Sequence, residues 1–580
     1  MSALVGTAGA TARRIVAGVV CLVVAGVSYL GATGLLGSLY AYRSPVAASP
    51  ATGAALPSAG PIAAPSRRVV AVLVDGLRVD TAADATAMPF LAELRTKGAS
   101  ATMGLRTPSY SVPGWTVLMT GAWPEVNGGL AMNPPVVSDA PAWTTDSIFR
   151  AARDVGLWTG VSGTDWFAPL IPGADLSTSF FVHEENDAAD QASTDAAMRM
   201  IAGEQADFVL VHLNEIDHAG HYGGGGASPA TRTAAGKADA RLRAIAGALD
   251  LTQDTLVVFS DHGHLDQGGH GGPEDIVVRS PLVLAGAGVR PGATLGGGPA
   301  GARDPMAIDA AQVDLAPTLA VLLGTRVPAS AQGQALTSLL SLPPDALEPL
   351  RRAQAEQQRD LVTRYAAAVG STSARSADSG ALTGALTRSD PTKAGQEVIA
   401  GLRGERLQAE RWQRLWPGAG LLVLLLAGLA VWWRSNPRRV PWALAGAAAY
   451  LLVFHGYYWG LARRTYSMSS VTSATDVLLA TATATLLGVL AAWVVALAGE
   501  RPARRGLAGT LGGVGYAVGL ALVGPIIVGV IQNGWTVGWS LPEALPMFLQ
   551  FFGLVQALVV AVLTLLGGLV AIALGRGRPA

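Results

Sequence analysis

Six apolar runs constrain this chain more than any other feature in it, at about 15–40, 416–433, 440–462, 476–498, 506–532 and 546–574. Each is near or above the length that crosses a bilayer. Hydrocarbon offers a backbone no hydrogen-bond partner, so such a run can only cross as a helix. A mean hydropathy of +0.37 with 14% charged residues fits a chain of which a substantial part lies in a membrane. The formal net charge is zero, which removes the basic footprint that a nucleic-acid partner requires. The single cysteine, Cys21, lies in the first run, so no intrachain disulfide is possible.

Arginines orient the runs. Arg13 and Arg14 precede the first, Arg434, Arg438 and Arg439 separate the second from the third, Arg501, Arg504 and Arg505 separate the fourth from the fifth, and Arg576 and Arg578 follow the last. If six spans alternate, all of these fall on one side, which the positive-inside rule makes cytoplasmic. Arg463 and Arg464 are a minor exception on the other side. Both termini are then cytoplasmic, and the long segment after the first span is extracytoplasmic. Residues 15–40 exceed the short core of a secretory signal and read as an uncleaved anchor after a cytoplasmic stretch 1–14. The alternative is a cleaved signal with a small-residue site near Ala47-Ala48.

Residues 41–67 are rich in Ala, Pro, Ser and Gly and read as a linker. Residues 68–345 read as a globular α/β domain. Continuous apolar runs at Val69–Val74, Phe208–Leu213, Thr255–Ser260 and Pro281–Ala285 suit strands buried on both faces. Helical stretches at Ala188–Gly203 and Thr233–Leu249 separate several of them, which predicts a mostly parallel sheet sandwiched by helices. Residues 346–414 read as a helical linker with a break near 370–380. Residues 415–580 then form a C-terminal membrane domain of five transmembrane helices.

Four segments of the α/β domain carry chemistry. Val72-Leu73-Val74 runs into Asp75-Gly76. In Ser109-Tyr110-Ser111-Val112-Pro113-Gly114-Trp115, Pro113 suits the first turn of a helix, so Ser111 falls near a helix N-terminus. Free N–H groups there favour an alkoxide or a phosphate, although a capping serine has the same signature. After the strand ending at Leu213 come Asp217 and His221, spaced so that one helical turn could aim both at one ion. The apolar run Leu256–Phe259 breaks into Ser260-Asp261-His262-Gly263-His264, with His270 following. Open α/β sheets place their sites just past the carboxyl ends of strands. His218 and His264 read as neighbours of the site. Three Asp, three His and a hydroxyl exceed one tetrahedral ion and suit two divalent metal ions with mixed N/O donors, zinc first with manganese as the alternative. Two such ions can stabilise an in-line displacement at phosphorus. Ser111 would then be the nucleophile, with a phosphoserine intermediate resolved by water or by an acceptor hydroxyl.

These segments, in this order, resemble the alkaline phosphatase superfamily. The similarity is to type I phosphodiesterases/nucleotide pyrophosphatases and to the ethanolamine-phosphate transferases of GPI-anchor synthesis. The resemblance implies an alkaline phosphatase-like catalytic domain over 68–345. It implies one ion held by Asp217, His221 and His270, and another by Asp75, Asp261 and His262, with Ser111 as nucleophile and ligand. Gly114 stands where nucleotide pyrophosphatases carry Asn, and Trp115 where the GPI enzymes can carry His, so these two positions are candidate substrate contacts. Gly114 and Trp115 also lack the Arg of a sulfatase motif.

The expected function is a membrane-bound phosphotransferase or phosphodiesterase acting on a lipid or lipid-linked glycan, with phosphoethanolamine as the group moved. A hydrolase of soluble phosphate esters is the second enzyme reading, and a pseudoenzyme keeping the fold is the non-enzyme reading. Within the spans, His455 beside Tyr457, Tyr458 and Trp459 is either a substrate-facing group or part of an interfacial aromatic belt. Gln550 and Gln556 are the other intramembrane polar groups singled out.

Overall fold

Strand β1 (Arg68–Val74) is the axis of the α/β unit, because every one of its residues from Val69 on is buried. Its even and odd positions feed two separate cores. Val69, Ala71 and Leu73 pack with Phe208, Leu210, Val257 and Phe259 on one face, whereas Val70, Val72 and Val74 pack with Val209, Val211, Leu256 and Val258 on the other. A strand with apolar residues at both parities must be covered twice, and helices cover both faces.

The computed structural model describes residues 2–46, 63–203, 206–295, 304–370, 390–471, 474–499 and 507–576. Most of the linker, the Ala47-Ala48 site, the break near 370–380 and the arginines Arg501, Arg504, Arg505 and Arg578 lie outside the described residues. The remaining strands are β2 (Ala99–Gly104), β3 (Thr159–Thr164), β4 (Thr178–Val182), β5 (Phe208–Leu213), β6 (Asp254–Phe259), β7 (Arg279–Gly286) and β8 (Ala310–Ala311). They form one eight-stranded sheet in the order β4-β3-β5-β1-β6-β7-β2-β8. β1 pairs in parallel with both β5 and β6, and β7 runs antiparallel to its two neighbours. The expected mostly parallel sheet between helices is what the chain forms.

Register aligns the carboxyl ends that matter. Val74 lies opposite Leu213, and Leu73 opposite Phe259. Asp75, Asn214 and Ser260 therefore leave three adjacent strands at one edge. The chain splits into two compact units, Tyr40–Arg406 with Trp539–Leu541, and Met1–Leu39 with Leu407–Gly538 and Pro542–Ala580. Within the first, the helix Pro344–Ala368 is tied to the α/β core by Gln357 and Gln358, whose amides donate to the Ala331 carbonyl.

The second unit holds apolar helices. Across the described residues, six are long and apolar enough to cross a membrane: Ile15–Tyr40, Pro391–Ser435, Val440–Leu461, Val477–Ala498, Leu507–Asn533 and Ala544–Ala573. The protein is an integral membrane protein. Ala443, Ala447, Ala492 and Val518 pack the interior around Tyr450, whose hydroxyl donates to Gln556 Oε1 at 2.6 Å. Gln550 donates to the Gly534 carbonyl at 3.0 Å. Both glutamines thus make intra-unit bonds. His455 stacks on Trp459 and has Tyr466 Oη 3.3 Å from its Nδ1, so it sits in an aromatic cluster of this unit.

Candidate metal centre

Ser111 opens a buried helix, Ser111–Thr120, in which Pro113 occupies the first turn. Asn133 Oδ1 accepts from Val112 N at 3.0 Å and holds that helix start. The Ser111 hydroxyl lies 3.2 Å from His262 Nε2. His262 directs Nδ1 at the Gly263 carbonyl (3.2 Å), and His270 directs Nδ1 at the Ser109 carbonyl (3.1 Å). With the protons on Nδ1, both Nε2 lone pairs point into the site, the tautomer a metal ligand needs. The two rings stack at 3.7 Å. His270 gets there through a loop of glycines, of which Gly269 and Gly271 adopt φ values of +95° and +107° that a side chain would resist.

Two sets of ligand atoms converge. Asp75, Asp261 and His262 form one, and Asp217, His262, His264 and His270 form the other, the atoms within each set lying within 4.8 Å of one another. His221 joins the second set closely. Its Nε2 is 3.0 Å from His270 Nε2 and 3.5 Å from Asp217 Oδ2. All seven residues expected in the site are thus near one another, and His262 bridges the two sets. His218 is half-exposed and lies 3.9 Å from Glu185. His264, in contrast, has Nε2 2.7 Å from Asp217 Oδ1 and is a full member of the cluster.

Two of the three expected substrate contacts, Trp115 and Gly114, do not face open space. Trp115 is 3% exposed, stacks on Phe167 and donates its indole N–H to Asp261 Oδ2 at 2.8 Å. The helix turns that face into the core, where the indole N–H reaches a carboxylate. Gly114 is buried against Asp261 and Gln312; a Cβ there would lie 3.5 Å from Asp261 Cβ and 3.4 Å from Gln312 Nε2. His455 belongs to the other unit.

His212 was not singled out from the sequence. It is 1% exposed on β5, with Nε2 2.9 Å from Asp75 Oδ2. The available signal is the lone ionisable residue in the otherwise apolar Phe208–Leu213.

The electrostatics are compatible with a bound cation. Burial pushes Asp75 well above the ordinary carboxylate range, and the neighbouring Asp261 and Asp217 push it further. Burial also raises Asp261, which His262 partly offsets. Asp217 goes the other way. Burial opposes its charge, but His221, His264 and His270 hold it well below the usual range. Burial lowers His221, drives His270 well down and brings His212 to about 3. Neutral imidazoles cannot compensate clustered carboxylates in a dry site, whereas divalent ions can. Asp75 Oδ1 is buried with no hydrogen-bond partner among the described residues, and its 3.4 Å approach to His262 Nε2 aims it at the converging lone pairs. The residues present therefore fit a two-ion centre.

Comparison with known proteins places this geometry. Residues 69–271 match the family described as Type I phosphodiesterase / nucleotide pyrophosphatase. The chain is 28% identical over 287 residues to "GPI ethanolamine phosphate transferase 2, catalytic subunit" of Homo sapiens, covering 46% of this chain and 27% of that protein. It is 28% identical over 320 residues to "GPI ethanolamine phosphate transferase 3, catalytic subunit" of Mus musculus, covering 50% of this chain and 28% of that one. The chain thus spans under a third of the length of these two curated relatives. A solved structure of murine ectonucleotide pyrophosphatase / phosphodiesterase 5 aligns with 47% of this chain and all of its own at 12% identity, with a TM-score of 0.36. The motif order and the ligand geometry thus agree with the family match over residues 69–271.

Proposed function

We propose that this protein is a metal-dependent phosphoryl-transfer enzyme that moves phosphoethanolamine onto a lipid-linked glycan through a phosphoserine intermediate. The observation that carries the proposal is the Ser111 hydroxyl, 3.2 Å from His262 Nε2 at a helix N-terminus and beside two convergent ligand sets. Two divalent ions, zinc in preference to manganese, would be held by Asp75, Asp261, His262 and Ser111, and by Asp217, His221 and His270. When bound, they supply Lewis acidity that lowers the hydroxyl pKa and neutralises charge on the phosphoryl oxygens. Ser111 gives up its proton to water and forms an Oγ–P bond while the bond from phosphorus to the donor alcohol breaks and the departing oxygen takes up a proton. An acceptor hydroxyl then loses its proton as it forms a new O–P bond, the Oγ–P bond breaks, and Ser111 Oγ is reprotonated. The positive dipole end of the helix Ser111–Thr120 favours the anion in both steps.

The glycolipid acceptor is favoured by the names of the curated relatives and by the membrane helices. On this reading the catalytic domain lies outside the cytoplasm with both termini inside, which the distribution of arginines between the apolar runs supports. Hydrolysis of soluble phosphate esters is the second reading, favoured by the phosphodiesterase family match. Mass spectrometry of glycolipids from cells with and without the active protein separates the two. A head-group gain of phosphoethanolamine mass that depends on Ser111 supports transfer. Release of free alcohol or phosphate from soluble esters, with no lipid change, supports hydrolysis.

A further inference from the structure

Each of the three carboxylates in the centre gives one oxygen to a buried N–H donor outside the expected ligand set. His264 Nε2 lies 2.7 Å from Asp217 Oδ1, His212 Nε2 lies 2.9 Å from Asp75 Oδ2, and Trp115 Nε1 donates to Asp261 Oδ2 at 2.8 Å. The donors come from three different elements: the loop after β6, β5 itself and the helix Ser111–Thr120. All three side chains are buried. The second ring nitrogens of His212 and His264 have no hydrogen-bond partner among the described residues, so the carboxylate is each imidazole's sole hydrogen-bonded contact there. The fold also makes room for both rings. A Cβ on Gly220 would come 2.8 Å from the His264 ring, and one on Gly163 would come 2.5 Å from His212 Cβ.

A metal-binding carboxylate is ionised and accepts only, so the nitrogen at these short distances would carry the proton. Such a donor occupies one lone pair and fixes the carboxylate plane, which sets the direction of the lone pairs left for an ion. We propose that His264, His212 and Trp115 are positioning residues, each assigned to one carboxylate. His264 would serve the ion of the Asp217 set, and His212 and Trp115 the ion of the Asp75–Asp261 set. This assignment rests on the two-ion reading above. It differs from a reading in which His264 is itself a ligand, because its donor nitrogen is committed to Asp217.

The test is zinc titration of the full-length, detergent-solubilised protein against a chromophoric chelator, with the visible spectrum of the cobalt-substituted protein as a second readout. His264→Leu weakens one of two ions by about 10–100-fold and leaves the other unchanged, and His212→Leu does the same to the opposite ion. His264→Gln and His212→Gln, whose amide N–H can donate from nearly the same place, restore affinity to within a few-fold and keep the cobalt spectrum. Wild-type affinity in both Leu variants overturns the proposal, as does equal loss of both ions from either one. Gln variants as weak as Leu, with a cobalt spectrum that has lost a nitrogen ligand, overturn it in favour of direct coordination. Failure of the two-ion reading itself is distinguishable, since the unsubstituted chain would then bind no ion.

Discussion

His262 Nε2 lies 3.2 Å from the Ser111 hydroxyl and 3.4 Å from both Asp75 Oδ1 and Asp261 Oδ2. Its Nδ1 faces the Gly263 carbonyl, so Nε2 is the acceptor and Ser111 the donor. The proposed nucleophile and the Asp75–Asp261 ligand set thus share this one nitrogen.

Ser111→Ala removes the hydroxyl while leaving the Asp and His ligands in place. Turnover is expected to fall about a thousandfold or more, roughly 4 kcal/mol on the barrier, with bound metal close to that of the unsubstituted protein. Elemental analysis alongside glycolipid mass spectrometry checks both halves. Undiminished turnover would remove Ser111 from the mechanism.

Asp261→Ala strikes the best-connected carboxylate. Asp261 accepts from Gly76 N, His262 N and Trp115 Nε1 as well as facing His262 Nε2. The variant is expected to lose the ion of its set and with it activity. Full metal content by elemental analysis in an inactive variant would speak against its role as a ligand.

Gly114→Ala distinguishes packing from substrate contact. The added methyl meets Asp261 and Gln312 at ordinary van der Waals distances, and alanine suits a helix better than glycine by up to about 1 kcal/mol. Unchanged or raised thermal stability is expected, with turnover within a few-fold. A selective rise in KM would instead mean that position 114 touches the substrate.

Asp190 supports the turn that aims Asp217, accepting from Asn214 N at 2.7 Å and Glu215 N at 3.2 Å. Burial raises its pKa to about 6. Because the folded protein binds this proton more tightly than the unfolded chain, the contribution is full below the ordinary carboxylate pKa and disappears as pH rises through about 6. Between pH 5 and 8 the wild type should lose about 1.4 kcal/mol relative to Asp190→Asn. Thermal melts at the two pH values read this difference, and a constant gap would contradict it.

The proposed orientation can be read with a single thiol. Val155 is exposed in the α/β unit and Cys21 is the only native cysteine. In a Cys21→Ser background, Val155→Cys should react with a membrane-impermeant maleimide on intact cells. Labelling only after permeabilisation would place the domain in the cytoplasm.

Much of this protein is legible without coordinates where one physical constraint acts alone. Runs of apolar residues at membrane length leave only helices, and the six runs are found as six helices. Val69–Val74 and Phe208–Leu213 announce two-sided burial by having no polar face, and β1 and β5 follow them within a residue. Asp75, Asp217 and Asp261 stand out together, because all three lie at or shortly after the ends of separate strands in one domain.

The tertiary structure decided what depends on neighbours. β3, Thr-Gly-Val-Ser-Gly-Thr, is fully buried although it contains no apolar run, because it lies between other strands and its small residues admit partners such as His212. The second role of Trp115 was likewise invisible, since a tryptophan on an apolar helix looks the same whether its N–H meets water, a substrate or Asp261. The sequence alone determines which residues are too polar or too apolar to be placed freely. Which oxygen of which carboxylate each N–H reaches is settled only when strand order and register bring β5, β1 and β6 side by side, because a hydrogen bond depends on distances that sequence spacing does not carry.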